Sequence, residues 1–237
     1  MLKIKNLSTY YFTDDKVIKA VDDVSLTIGD KEFFGLVGPS GCGKSTLGLS
    51  IMKLIDTPGR IVRGSVMLDG LDLLSLNGPE LAKVRGAGIS MIFQDPFTCL
   101  NPVITVGEQV SEAIRYHLGS GRKEAMDRAV ELFNMVKIDT PGKRYHNYPH
   151  ELSGGMRQRV MIAMAVSCGA KFIIADEPTT ALDVTTQRGI MELLAELKEK
   201  QGLSVLLISH NTGLVQKYCT RAAEMSGGRI TDERKDT

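Results

Sequence analysis

Phe33-Phe34-Gly35-Leu36-Val37-Gly38-Pro39-Ser40-Gly41-Cys42-Gly43-Lys44-Ser45-Thr46 is the stretch that decides the fold. Its apolar start reads as a buried strand, its middle as a glycine-rich turn, and its end as the opening of a helix running from Lys44 to about Ile55, stopped by Thr57-Pro58-Gly59. Gly38 to Ser45 satisfies the P-loop pattern between strand and helix, where the mechanism needs it. Glycines let the backbone wrap so that successive N–H groups point at phosphate oxygens. The helix N-terminus adds partial positive charge. Lys44 is suited to bridge β- and γ-phosphates and the Ser45 hydroxyl to ligate Mg²⁺, while Ser40, Gly41, Cys42 and Thr46 complete the cradle.

Working outward, residues 1–34 alternate apolar and polar in short runs around the turn Gly29-Asp30, which predicts a small antiparallel sheet. Strands are expected over 61–69 and 89–93, and the prolines of Asp95-Pro96-Phe97-Thr98-Cys99-Leu100-Asn101-Pro102 call for a loop. Two amphipathic helices follow, one carrying Val106, Val110, Ala113, Ile114 and His117 on a face, the other Ala125, Ala129, Leu132 and Val136. Beyond them come a strand over 171–176, a helix over about 184–200, a strand over 204–209, a helix over about 211–218 and a short strand near 222–225. Such alternation implies parallel strands. The fold class is therefore α/β: a P-loop NTPase core over 1–94 and 156–237 that includes an antiparallel β subdomain, with a helical subdomain inserted over about 95–155. The polar residues 231–237 are expected to fray.

Four further positions have chemistry at strand or helix ends. Lys171-Phe172-Ile173-Ile174-Ala175-Asp176-Glu177 delivers two carboxylates to a strand tip, where ligands bind in open α/β sheets. Asp176 suits a Mg²⁺ shell, and Glu177 can reach the water that attacks a γ-phosphate, as general base. Gln94, which follows the strand 89–93, can ligate Mg²⁺ and hydrogen-bond that water. His210 closes the strand 205–209, where its imidazole can donate to the γ-phosphate. Ser153-Gly154-Gly155 opens a strong helix pattern with a natural N-cap and exposed N–H groups. One chain thus carries two phosphate-facing glycine turns, and one nucleotide needs only one cradle. The second turn is expected to close over a nucleotide held by another subunit.

Composition narrows the class. The chain has 237 residues, 43% hydrophobic, enough for one large α/β domain. Its 29 basic and 28 acidic residues leave a net charge of +1, which offers no electrostatic footprint for nucleic acid. No apolar stretch approaches the ~20 residues that span a bilayer, and Met1-Leu2-Lys3-Ile4-Lys5-Asn6 lacks a signal-peptide core. Cys42, Cys99, Cys168 and Cys219 lack metal-ligand spacing. Cys42, beside Lys44, is a small residue that fits a tight loop.

These motifs together resemble the ATP-binding cassette (ABC) family over nearly the whole chain. Gly38–Thr46 looks like its Walker A loop, Gln94 its Q-loop, Leu152-Ser153-Gly154-Gly155-Met156-Arg157-Gln158 its signature and Phe172–Glu177 its Walker B strand. Ala181-Leu182-Asp183 looks like the D-loop, His210 the switch histidine and Tyr11 the aromatic that stacks on adenine, with Tyr10 and Phe12 as neighbouring alternatives. Residues 93–102, 152–165 and 175–184 look most like ATPase subunits of dipeptide, oligopeptide and nickel importers. Two departures accompany the match: no cysteine cluster of the kind often found in a C-terminal extension of that group is present, and Asn211 stands where an acidic residue is usual.

The resemblance implies ATP and Mg²⁺ as ligands and a head-to-tail dimer, with itself or a paralogue, in which Ser153–Gly155 covers ATP on the partner's P-loop. It further implies transmembrane permease partners docking near Gln94 and the helical subdomain, an extracytoplasmic substrate-binding protein beyond them, and a peripheral position on the cytoplasmic membrane face. A non-transport cassette acting on nucleic acid or ribosomes is the alternative, and a non-catalytic regulatory cassette the third reading. Separation of Gln94 from Ser153 by only a short helical segment and an intact set of Lys44, Asp176, Glu177 and His210 argue against both.

Overall fold

The computed structural model describes every residue except Ala181, Asp236 and Thr237. In chain order the elements are β1 (Leu2–Phe12), β2 (Val17–Ile28), β3 (Phe33–Val37), α1 (Lys44–Ile51), β4 (Gly59–Leu68), β5 (Leu71–Asp72), α2 (Gly78–Val84) and β6 (Ile89–Ile92). Then come α3 (Pro96–Cys99), α4 (Val106–Leu118), α5 (Arg122–Met135), α6 (Pro141–Arg144), a 3-10 turn (Pro149–Glu151) and α7 (Gly154–Val166). The chain closes with β7 (Phe172–Asp176), α8 (Val184–Gln201), β8 (Ser204–Ile208), α9 (Thr212–Tyr218), β9 (Arg221–Ser226) and β10 (Arg229–Lys235).

Two compact units divide these residues. The first comprises 1–81, 174–176 and 198–237, the second 82–173 and 177–197. The first unit holds two sheets. One is antiparallel, in the order β2-β1-β4-β5. The other contains β10-β9-β3-β8-β7, with β3 parallel to both β8 and β9. Every side chain of β8 is buried, as are all but the last of β3. Such uninterrupted apolar runs are what a parallel sheet covered on both faces requires. Burying each aliphatic or aromatic side chain there contributes about 1.5–3 kcal/mol.

The second unit is mostly helical. Val106, Val110 and Ile114 of α4 are fully buried while Ala113 and His117 are half-buried, and Ala125, Ala129, Leu132 and Val136 on and just after α5 are all buried, so the apolar faces read from the sequence largely pack, joined by Phe133. Tyr145 seals this cluster: its ring fills the space a Cβ at Gly107 would need, 2.2 Å away, and its hydroxyl meets Ser111 Oγ at 3.0 Å.

Three local expectations are overturned. Helix α1 ends at Ile51 rather than near 55, because Lys53 adopts a left-handed conformation (φ 53°) and stops it before the proline is reached. The segment after Asp95 is not wholly loop: Pro96 opens the helical turn α3, and the Asp95 carboxylate accepts from Phe97 N at 2.8 Å. A proline at the first helical position loses no intrahelical bond. The C-terminal residues are not frayed through Lys235. They pair antiparallel with β9, Ile230 opposite Met225, after a reversal at Gly227 and Gly228, both at positive φ. A Gly-Gly pair between two alternating runs is a hairpin signal.

Candidate active site

Helix α1 is preceded by its N-cap Gly43, whose φ of 110° and ψ of 2° lie outside ordinary reach for an L-residue. A Cβ there would stand 1.9 Å from the Ala20 carbonyl oxygen. Gly43 is thus glycine for both conformation and space. Replacing it with Ala is expected to cost on the order of 3 kcal/mol of stability through strain and clash. An unchanged denaturant midpoint for Gly43→Ala would remove that explanation of the residue. Gly41, at φ 76°, has nothing within 4 Å of its would-be Cβ, so the loop opens toward solvent at Ser40 and Gly41.

Lys44 is 5% exposed, and its ammonium donates to the carbonyl oxygens of Gly38 at 2.8 Å and Pro39 at 3.0 Å. Cys42 Sγ lies 3.8 Å from the same nitrogen and is buried. The first-turn amides of α1, including those of Ser45 and Thr46, have no acceptor within the helix. At the tip of β7 the Asp176 carboxylate accepts from Ser45 Oγ at 3.0 Å. Those two oxygens are hard ligands of the kind Mg²⁺ takes. Among the described residues, no cluster of three or more His, Cys, Asp or Glu could hold a metal. A site with so few protein ligands fits an ion that keeps water and phosphate oxygens in its shell.

His210, immediately beyond β8, is exposed and lines a cavity of about 360 Å³ together with Gly38, Pro39, Thr212, Val215 and Glu224. The switch-histidine position and the start of the P-loop therefore face one space. Asn211 caps α9, its side chain accepting from Leu214 N at 3.2 Å. Asparagine and aspartate are near-equal N-caps. That accounts for the departure at this position on local grounds.

Of the three aromatic candidates on β1, Tyr10 is tied up. Its hydroxyl donates to Asp22 Oδ1 at 2.6 Å, and Arg229 grips the other carboxylate oxygen at 2.7 and 3.1 Å. The Tyr10 hydroxyl first, and Arg229 after it, hold the Asp22 carboxyl down to about 2. Next to that network, Gly228 N donates to the Cys42 carbonyl at 3.0 Å, tying the β9–β10 turn to the P-loop. Tyr11 sits opposite Gly59 on β4, with Cε1 2.8 Å from where a Gly59 Cβ would be. Phe12 lies 40% exposed under the Arg60 guanidinium. Register shifts on β1 between Leu7, Thr9 and Tyr10 set which way each ring points.

The second unit holds its own share of the predicted residues. Glu177 is half-buried and has a φ of 44°, left-handed for a residue that bears a Cβ. Such strain persists only where the surroundings enforce it, and it clusters at functional sites. Gln94 Nε2 donates to Glu177 Oε2 at 3.1 Å, so the two predicted water-handling residues are brought together. Thr180, which sequence reasoning passed over, donates to the same oxygen at 2.8 Å.

The signature turn is built as expected of a cap. Ser153 Oγ accepts from Met156 N at 3.3 Å, ahead of α7. A Cβ on Gly155 would lie 2.6 Å from Thr186 Cγ2, so α8 comes close enough to demand glycine there. Arg157 stacks on Phe97 at 4.2 Å and donates to the Pro149 carbonyl at 2.6 Å, locking α3 to α7. Of the D-loop, Leu182 and Asp183 are described and Ala181 lies outside the described residues. Asp183 caps α8, accepting from Thr186 N at 3.0 Å.

A glycine cradle between a buried strand and a helix, with an acidic strand tip bonded to its serine, defines a P-loop nucleotide-binding domain. The ABC transporter family model matches residues 21–180. The chain belongs to the ABC transporter family, as an ATP-hydrolysing cassette. It is 48% identical over 233 residues to the dipeptide transport ATP-binding protein DppD of Haemophilus influenzae, covering 98% of this chain and 71% of that one. The oligopeptide transport ATP-binding protein AppD of Bacillus subtilis is likewise 48% identical over 233 residues, with the same coverage. Among solved structures, the ATP-binding cassette MJ0796, in a dimeric post-hydrolysis state bound to ADP and Pi, superposes with a TM-score of 0.89 at 32% identity. That match covers 99% of this chain and 98% of the other. No helix among the described residues is long and apolar enough to cross a membrane.

Proposed function

We propose that this chain is the ATPase subunit of a peptide importer, acting as a head-to-tail pair at the cytoplasmic membrane face and driving a transmembrane permease fed by an extracytoplasmic binding protein. Its 48% identity over nearly its whole length to subunits named for dipeptide and oligopeptide transport carries the substrate class. The dimeric MJ0796 cassette, bound to ADP and Pi, supports the pairing.

In this reading Lys44 leaves the Gly38 and Pro39 carbonyls to meet β- and γ-phosphate oxygens, joined by amides of residues 40–46. Tyr11 stacks on adenine. Ser153, Gly154 and Gly155 of one subunit present N–H donors to the γ-phosphate held by the other, so that donors and water exclusion are complete only in the closed pair. Glu177 accepts a proton from the attacking water as its oxygen bonds to the γ-phosphorus and the bond to the ADP oxygen breaks. His210 donates to the γ-phosphate and Gln94 orients the water. Ser45, Asp176 and Gln94 would hold Mg²⁺, whose charge offsets that of the phosphates when it is bound.

A mixing experiment tests the shared site. Lys44→Ala disables a subunit's own cradle, and Gly154→Asp, at a position where a Cβ meets nothing nearer than 3.4 Å, sets a carboxylate where its partner's phosphate should lie. Neither variant alone should hydrolyse ATP. Mixed, they form pairs with one intact composite site, and turnover should reappear. A mixture as silent as its components overturns the shared-site reading. Peptide uptake by membrane vesicles that ceases without this chain checks the cargo class, and uptake unaffected by its loss rejects it.

A further inference from the structure

We infer that Thr180 is a positioning residue for hydrolysis, holding the Glu177 carboxylate and its strained backbone in the orientation in which it takes the proton of the attacking water. The inference rests on the proposed role of Glu177 as general base. The geometry on both sides of the turn carries it. Thr180 Oγ1 donates to Glu177 Oε2 at 2.8 Å, and Thr180 N donates to the Glu177 carbonyl at 3.1 Å. One residue thereby clasps both the side chain and the main chain of its neighbour three positions back.

That double clasp answers two needs. Glu177 sits at φ 44° directly before Pro178, a backbone position with few ways of being maintained. The amide bond closes the turn from 177 to 180 and retains this conformation. A carboxylate on a flexible stem also rotates freely unless donors pin it. Gln94 Nε2 is one donor to Oε2, at 3.1 Å, but Gln94 is exposed and its long side chain has rotamer freedom to lose. Thr180 is half-buried, short and β-branched, so its χ1 is restricted and its hydroxyl is the stiffer of the two. Misplacing a reacting group by about 1 Å costs on the order of 10²-fold in rate. Loosening one donor while Gln94 still holds the same oxygen should cost less than that, about 10-fold.

Turnover of ATP by the assembled transporter discriminates the roles. Thr180→Val keeps shape and removes the hydroxyl. It is expected to lower kcat about 10-fold while KM for ATP and the thermal midpoint stay within error, since only the water-handling step is touched. Thr180→Ser restores the hydroxyl and should recover kcat to within about twofold. Adding Thr180→Val to Glu177→Gln should slow that variant no further, because the threonine acts through the carboxylate. A Thr180→Val enzyme with wild-type kcat overturns the inference. So does Thr180→Ser as slow as the valine variant, a loss that appears as a lowered thermal midpoint instead of a lowered kcat, or a multiplied defect in the double variant. Wild-type turnover by Glu177→Gln alone rejects the base assignment itself, a result separate from all of these.

Discussion

Glu177→Gln is expected to slow ATP turnover by about 10²-fold or more while leaving ATP binding intact, because a positioned base contributes 10²–10⁴-fold. The substitution is nearly isosteric and can still accept from Thr180 Oγ1 and Gln94 Nε2 through its amide oxygen, so the left-handed turn should persist. Only the capacity to take a proton disappears. With hydrolysis blocked, a closed nucleotide-bound pair should accumulate, visible as an ATP-dependent shift from monomer to dimer in size-exclusion chromatography. Turnover close to wild type would remove Glu177 from the mechanism and leave Gln94 and the closed pair to carry the chemistry.

Lys44→Ala should abolish useful ATP affinity, by about 10²-fold or more, since a charge-assisted hydrogen bond contributes about 1.5–3 kcal/mol and this ammonium can serve more than one phosphate oxygen. The structure adds a second consequence. Lys44 Nζ also braces the Gly38 and Pro39 carbonyls, so its loss frees two acceptors on the loop itself. Calorimetric titration with ATP, read beside a denaturation curve, separates the two effects. Affinity unchanged in a folded variant would refute the phosphate role. Affinity lost together with the fold would mean that bracing dominates.

Much of this is legible in the sequence. Runs such as Phe172–Ala175 and Val205–Ile208 are apolar at every position, as strands covered on both faces are. Gly43 announced a backbone that must bend, and it does so, whereas the close approach of Thr186 to Gly155 belongs to the folded chain alone. The hairpin signal Gly227-Gly228 is masked in the sequence by the charged residues that follow it. An exposed edge strand tolerates charge. Helix α1 misled for the opposite reason: the visible stop signal at Pro58 stood beyond the position where Lys53 turned the chain.

The linear order of residues by itself determined the class of chemistry, because a phosphate cradle needs particular glycines, one lysine and one hydroxyl at fixed spacing along a single turn, and spacing is a local property. Three-dimensional folding decided matters that spacing cannot express. It engaged the Tyr10 hydroxyl with Asp22 and set Tyr11 against Gly59, through bulges whose effect on side-chain direction depends on both neighbouring strands. It also set Thr180 against Glu177, a contact that exists only because the chain reverses at a residue forced into a left-handed conformation.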